Sequence, residues 1–330
     1  MKLPFRRRTV YVADRVAEYE AYWRAAAASL DAEFIALTDR LWEVRKGSAR
    51  TRIANDLVQL DDPVVLGIAG DKELCYRLAT ELGIPVPSHR IFTRGQLRAA
   101  WRWIASDGHP FVIKPRRNTS SGVGVTVGVT RFAETAGAIA RAGLRDSSFI
   151  AERMFAGESC RLLFLGGEMI HAVRRRGVRV NPDGRANVRE LLNASGRAKL
   201  ADDTVTALTL RAQDVELGSV PPAGASLLAR VLPPAESSTQ ELRTVYDEDI
   251  TALVAPELKM EVGQLVRSIG SEWAGVDIIT RDPGRGLSDG EGVLLEVNTT
   301  PGLHHHCGLD GAPTCDVAAQ VLRYLLERSR

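Results

Sequence analysis

Two apolar segments, "GVDIIT" and "LLEVNTT", each interrupt themselves with oxygen-bearing side chains: Asp277 in the first, Glu296 and Asn298 in the second. Glu296 and Asn298 are two residues apart, so on a strand they point to the same face. If the two segments pair, Asp277 joins them. Two carboxylates and an amide oxygen then suit a hard divalent cation, with positions left for water and phosphate oxygens, as magnesium is held beside a nucleotide. The alternative is that Asp277 is a hydrogen-bonded core residue and Glu296 faces solvent.

Lys114 ends the predicted strand "PFVIKP", directly before the loop "RRNTSSGVGV". A cation at a strand end can meet phosphates, with Gly122 and Gly124 letting backbone N–H groups approach and Ser120 and Ser121 adding donors. A plain β-turn fits the same residues, and no Gly-Lys-Ser/Thr follows, so this is not a Walker A loop. The lysine is informative because only six of the 43 basic residues are lysine; lysine is a compact point charge where arginine is a planar fork. In "FIAERMFAGESCRLLFLGGEM", Glu152 and Glu158 flank a turn at Gly157. A main-chain connector for a base and a carboxylate for ribose hydroxyls fit such a segment; surface glutamates fit it equally. Beyond Pro301-Gly302 stand His304, His305 and His306. Consecutive side chains in an extended segment point apart, which makes a poor zinc site. Contact of at least one histidine with a substrate or phosphate, or plain surface, remain as readings.

The elements that must position these residues follow from periodicity. "TVYVAD" and "AEFIAL" read as strands and "EYEAYWRAAAASL" as a helix. "DKELCYRLATELG" has an acidic cap and a terminal glycine. The Pro-punctuated "IPVPSHRIF" marks a boundary, giving an N-terminal α/β domain over 1–85. Helix, strand, loop, strand and helix then fill 86–150. Three β segments open 151–330, which contains a substrate-facing insertion near 177–247, the amphipathic helix "APELKMEVGQLVRSIG" and a closing helix "DVAAQVLRYLLERS".

The 330 residues are 45% hydrophobic and 25% charged, ordinary globular composition, with a net charge of +2. That charge argues for neither nucleic acid nor an anionic membrane as partner. No apolar run is long enough to span a bilayer, and the basic N-terminus is followed by no apolar segment of a secretory signal. Cys75, Cys160, Cys307 and Cys315 have no CxxC spacing and read as reduced thiols of a cytoplasmic protein.

The ordered series Lys72, Lys114, the Ser/Gly loop, Glu152, Glu158, Asp277, Glu296 and Asn298 resembles the ATP-grasp superfamily. More narrowly it is similar to the ATP-grasp module of cyanophycin synthetase, and more distantly to D-alanine–D-alanine ligase, ribosomal S6 glutamate ligase and glutathione synthetases. The resemblance runs from about Asp71 to Ala319. It implies an ATP-grasp fold, mixed α/β and α+β, with the nucleotide between two α+β subdomains. It implies that Lys72 and Lys114 contact ATP phosphates and that Ser120, Ser121, Gly122 and Gly124 lie in a phosphate lid. Glu152, with Met154 and Phe155 as connector, would serve the adenine, and Glu158 the ribose. Asp277, Glu296 and Asn298 would hold two magnesium ions, which manganese can replace. Arg161 and Arg230 match arginines such ligases often keep, and His306 a histidine that follows the same turn. Arg174, in the run Arg174–Arg176, could hold a substrate carboxylate or the acyl phosphate; a solvated strand end is the equal alternative.

The implied reaction is amide formation between a carboxylate and an amine, amino acids or a small peptide, through an acyl phosphate. A small-molecule kinase and a non-catalytic nucleotide-binding module are the alternatives. Such ligases are commonly dimers, so a homodimer is an expectation of the resemblance. Cyanophycin synthetase has a further C-terminal domain, and the chain given stops at Arg330, which leads to the expectation of one bond-forming reaction. "PPAESSTQELR" replaces a glycine-rich segment of that family and separates this chain from cyanophycin's own substrates.

Overall fold

In the computed structural model, which describes residues 5–117, 124–175, 177–202, 204–211, 213–224, 227–230, 247–307 and 316–329, the described residues form four sheets. The first is an antiparallel meander of Glu33–Ala36, Trp42–Lys46, Ala49–Ala54 and Leu57–Val58. A helix, Phe5–Ser29, precedes it, so "TVYVAD" is helical and not a strand. The cause lies downstream: Tyr19, Tyr22, Trp23, Ala26 and Ala27 are all buried and recur at three- and four-residue spacing, which one helix face satisfies.

The second sheet runs in the order His89–Thr93, Ser148–Arg153, Phe111–Pro115, Thr126–Val129. Helices Leu97–Asp107 and Phe132–Gly143 cover it through Ala100, Ile104, Ala138 and Ile139, packed on Phe111, Ile113 and Phe149. The ribbon of Val178–Val180 with Leu227–Arg230 and the helices Val188–Ala194 and Thr204–Arg211 close a small separate core around Val180, Val188, Leu192 and Leu210. This is the segment expected as an insertion.

The sheet that matters most has the order Asp247–Asp249, Glu168–Arg175, Glu158–Leu165, Trp273–Thr280, Gly292–Asn298, every pair antiparallel. Alternation gives its two faces different work. Cys160, Leu162, Phe164, Ala274, Val276 and Ile278 pack against helices Lys72–Glu81 and Pro256–Ile269. Leu163, Leu165 and Trp273 turn the other way, toward the N-terminal helix and the closing helix Asp316–Arg328. By the same alternation Arg161, Gly275 and Asp277 lie on this second side.

Gly275 is where that side is most crowded. A Cβ there would stand 2.8 Å from Pro301 Cβ and 3.7 Å from Arg161 Cδ. Glycine therefore lets the Pro301 turn lie directly on the sheet. Gly275→Ala is expected to destabilise the chain by about 1–3 kcal/mol through overpacking, read as a lower denaturation midpoint. An unchanged midpoint would show that the turn shifts without penalty.

Cys75 and Cys160 are buried thiols, whereas Cys307 is disulfide-bonded. The expectation of four reduced thiols is thus corrected: motif spacing says nothing about which sulfurs a fold brings together. Among the described residues, no helix is long and apolar enough to cross a membrane.

Candidate active site

The two segments that opened the sequence reading are neighbours. Asp277 pairs with Glu296 and Gly275 with Asn298, and Asn298 Nδ2 lies 3.2 Å from Asp277 Oδ2. One irregularity makes this possible. The register steps from Asp277–Glu296 to Ile278–Leu294, leaving Leu295 as an extra residue. In a regular strand Leu294 and Glu296 would share a face. The bulge separates them, so Leu294 enters the core while Glu296 stays beside Asp277.

Each acidic residue of the cluster has a cation. Arg161 holds Asp277 with its planar fork, Nε to Oδ1 and Nη2 to Oδ2, both 2.7 Å. Burial opposes ionisation of Asp277, but Arg161, with help from Arg175 and Asn298, holds its carboxyl below the usual aspartate range. Lys72 Nζ lies 2.8 Å from Glu296 Oε1, and Lys114 Nζ 2.9 Å from Glu152 Oε2. Lys72, Lys114, Glu152 and Arg161 are all buried. Lys72 starts its helix because Asp71 caps it, accepting from the Glu73 and Leu74 N–H groups. Arg116, just past the Lys114 strand, grips the same Asp71 at 2.8 Å. One aspartate thus ties the two lysine-bearing elements together.

Tyr76 is the residue that sequence reasoning missed. Its hydroxyl accepts from Lys114 Nζ at 2.9 Å, and its proton faces Glu152 Oε2 at 2.9 Å and the bulged Leu295 carbonyl at 3.0 Å. It joins three chain segments at one oxygen. The available signal was its place one turn after Lys72 on the same helix face. Burial, then the Glu152 charge, pushes the phenol well above its usual range, so it stays a neutral donor. Tyr76→Phe is expected to cost about 1–3 kcal/mol by leaving buried acceptors short of a partner. Denaturation would measure it; a neutral result would mean Lys114 alone satisfies both oxygens.

The remaining predicted residues fall in several places. Arg174 sits on the strand face opposite Arg161 by alternation and pairs with Glu158 and, at 3.3 Å, with Glu248. Arg175, its neighbour in that run, has a charge that acts on Asp277. Glu158 is therefore already engaged. Met154 donates its N–H to the Pro110 carbonyl at 2.9 Å, and Arg281 lies 5.0 Å over the Phe155 ring. Gly124 has φ +83, a conformation that favours glycine. Ser120, Ser121 and Gly122 lie outside the described residues, as does the side chain of Arg230, whose backbone pairs with Val178.

His304, His305 and His306 are all buried, which removes the plain-surface reading. A 3-10 turn, Leu303–His305, folds the segment inward. His304 Nδ1 lies 2.9 Å from Tyr19 Oη, and His306 Nδ1 3.0 Å from His171 Nδ1. Among the described residues no group of three or more His, Cys, Asp or Glu could hold an ion by itself. A cation at Asp277 and Glu296 would need Asn298 and substrate oxygens as well, and that oxygen-only set fits magnesium.

The mixed α/β arrangement with several antiparallel sheets is that of an ATP-grasp fold. The structure aligns with a bifunctional glutathione synthetase from Pasteurella multocida at a TM-score of 0.63 and 19% identity, covering 92% of this chain and 43% of that one. In sequence the chain is similar to cyanophycin synthetase: it is 29% identical over 280 residues to the protein of Nostoc sp. (strain PCC 7120), covering 80% of this chain and 30% of the relative. The Geminocystis herdmanii cyanophycin synthetase is 26% identical over 293 residues, covering 84% and 33%. A glutathione biosynthesis bifunctional protein of Clostridium perfringens is 21% identical over 59% of this chain. The chain thus spans about a third of the length of these cyanophycin synthetases. No family model matches it.

Proposed function

We propose that the chain is an ATP-dependent carboxylate–amine ligase joining amino acids or a short peptide through an acyl phosphate. One observation carries this reading. Asp277, Glu296 and Asn298 are assembled in register, with Lys72, Lys114 and Arg161 buried around them and each paired to a carboxylate. Such pairs keep buried cations in place without a ligand, and a triphosphate can exchange with the glutamates as partner. The homology to cyanophycin synthetase supports the same reading.

In the proposed reaction a carboxylate oxygen of the acid attacks the γ-phosphorus of ATP and the bond to ADP breaks. The amine then attacks the acyl carbon, and phosphate leaves. Lys72 and Lys114, turning from Glu296 and Glu152, neutralise the phosphate oxygens as charge shifts. Arg161, whose fork reaches Asp277, stands beside the Pro301 turn where the acyl group would lie. Asp277, Glu296 and Asn298 would hold magnesium, which would supply neutralisation of the charge that develops during phosphoryl transfer. The protein supplies no nucleophile of its own.

A panel of amino-acid pairs with ATP and magnesium tests this. The expected result is ADP and phosphate release only with a competent acid and amine, and a product lighter than the sum by one water. A stable phosphorylated product in stoichiometric yield would make the chain a kinase. ATP binding with no ADP release for any pair would make it a binding module.

A further inference from the structure

The mechanism above leaves one proton unassigned. An amino group enters as ammonium and must lose a proton before it can attack a carbonyl carbon. The structure holds a buried acceptor with no other use. His306 Nε2 has no hydrogen-bond partner among the described residues, while His306 Nδ1 lies 3.0 Å from His171 Nδ1.

Two ring nitrogens that close share one proton, so one ring donates and the other accepts. Asp249 decides which. Its Oδ2 is 3.6 Å from His171 Nε2, beyond a direct hydrogen bond but near enough to favour the tautomer that faces it with N–H. His171 Nδ1 is then the acceptor, His306 Nδ1 the donor, and His306 Nε2 carries a bare lone pair. Asp249 is itself fixed by the Thr251 N–H at 2.8 Å.

The chain leads to the right place. His171 lies on the strand next to Arg161's, opposite Leu163, and so on the sheet side that carries Arg161 and Asp277. His306 arrives there because the Pro301 turn lies on Gly275. Among the described residues, the groups facing His306 are His171 from that strand, Arg161 from its neighbour, and His304 and His305 from its own turn. Facing His171 are Asp249 and His306. Burial, then these neighbours, holds His306 well below the usual imidazole range, so it is neutral at pH 7 and able to accept.

We propose that His306 Nε2 is the general base for the acceptor amine, with His171 and Asp249 as positioning residues behind it. This rests on the ligase reading. The ammonium N–H bond breaks and the proton moves to Nε2, leaving the lone pair on the amine. That lone pair forms the C–N bond as the C–O bond to phosphate breaks. The imidazolium is oriented through Nδ1–H to His171, with the Asp249 charge behind it, until departing phosphate or solvent takes the proton.

Hydroxylamine separates this role from a structural one, because it is unprotonated at pH 7 and needs no base. The full-length chain is assayed with ATP, magnesium and the acid of the best pair in the panel, using either its amine or hydroxylamine as acceptor. His306→Gln should lower the ratio of amine to hydroxylamine turnover about a hundredfold. His171→Phe should lower that ratio less, and its deficit should shrink as pH rises toward the amine's own pKa. Nitrogen-15 spectra of the wild type should show neutral His306 protonated at Nδ1, and His171→Phe should abolish that preference. Equal loss with both acceptors, or a wild-type His306 protonated at Nε2, overturns the relay. A wild type that yields neither amide nor hydroxamate overturns the ligase reading first.

Discussion

Replacing Lys114 with methionine is expected to abolish nucleotide turnover and to destabilise the fold by several kcal/mol. The side chains are similar in length, so the variant removes charge more than volume. Glu152 is 3% exposed and its carboxylate lies 2.9 Å from the lysine. Without the cation, Tyr76 is its remaining side-chain donor among the described residues. Removing one member of a buried pair typically costs about 3–5 kcal/mol, because the other charge stays desolvated. The double variant Lys114→Met with Glu152→Gln should regain much of the stability and none of the turnover. Recovery of turnover in the double variant would mean that Lys114 serves only to balance Glu152.

Asp277→Asn carries the second large effect. The shape is kept, but Arg161 loses the bidentate partner whose two contacts are 2.7 Å each. Turnover should fall by at least about a thousandfold, comparable with the loss of a group that stabilises developing charge. Stability has a defined pH dependence. The folded-state pKa of Asp277 is lowered, so the ion pair contributes fully above the unfolded value of about 3.9 and is lost as pH falls through the folded value. The stability gap between wild type and variant should therefore be constant near neutrality and close in acid. A gap that widens as pH falls, measured by denaturation at several pH values, would contradict the ionised assignment.

Much of this site was legible because period-two alternation survives in its strands. "GVDIIT" and "LLEVNTT" pair as read, and Asp277, Glu296 and Asn298 come together. The bulge at Leu295 was not legible, since nothing in "LLEVN" shows which residue leaves the ladder. "TVYVAD" reads as a strand by its local pattern, whereas the helix that contains it is set by the buried stripe from Tyr19 to Ala27. Arg174 was chosen from three adjacent arginines, and alternation places it with Glu158 and leaves Arg175 acting on Asp277. Tyr76 carried no motif; its role comes from three segments distant in sequence. The sequence leaves the histidines between substrate contact and plain surface, and the 3-10 turn after Gly302 buries them.

A crystal structure with magnesium and a non-hydrolysable ATP analogue would show whether the paired strands form the metal and nucleotide site. The expected result is metal within about 2.0–2.1 Å of oxygens from Asp277, Glu296 or Asn298 and from the phosphates, with Lys72 and Lys114 turned from their glutamates toward the triphosphate. Nucleotide and metal bound elsewhere, with Lys72 still closed on Glu296, would contradict it.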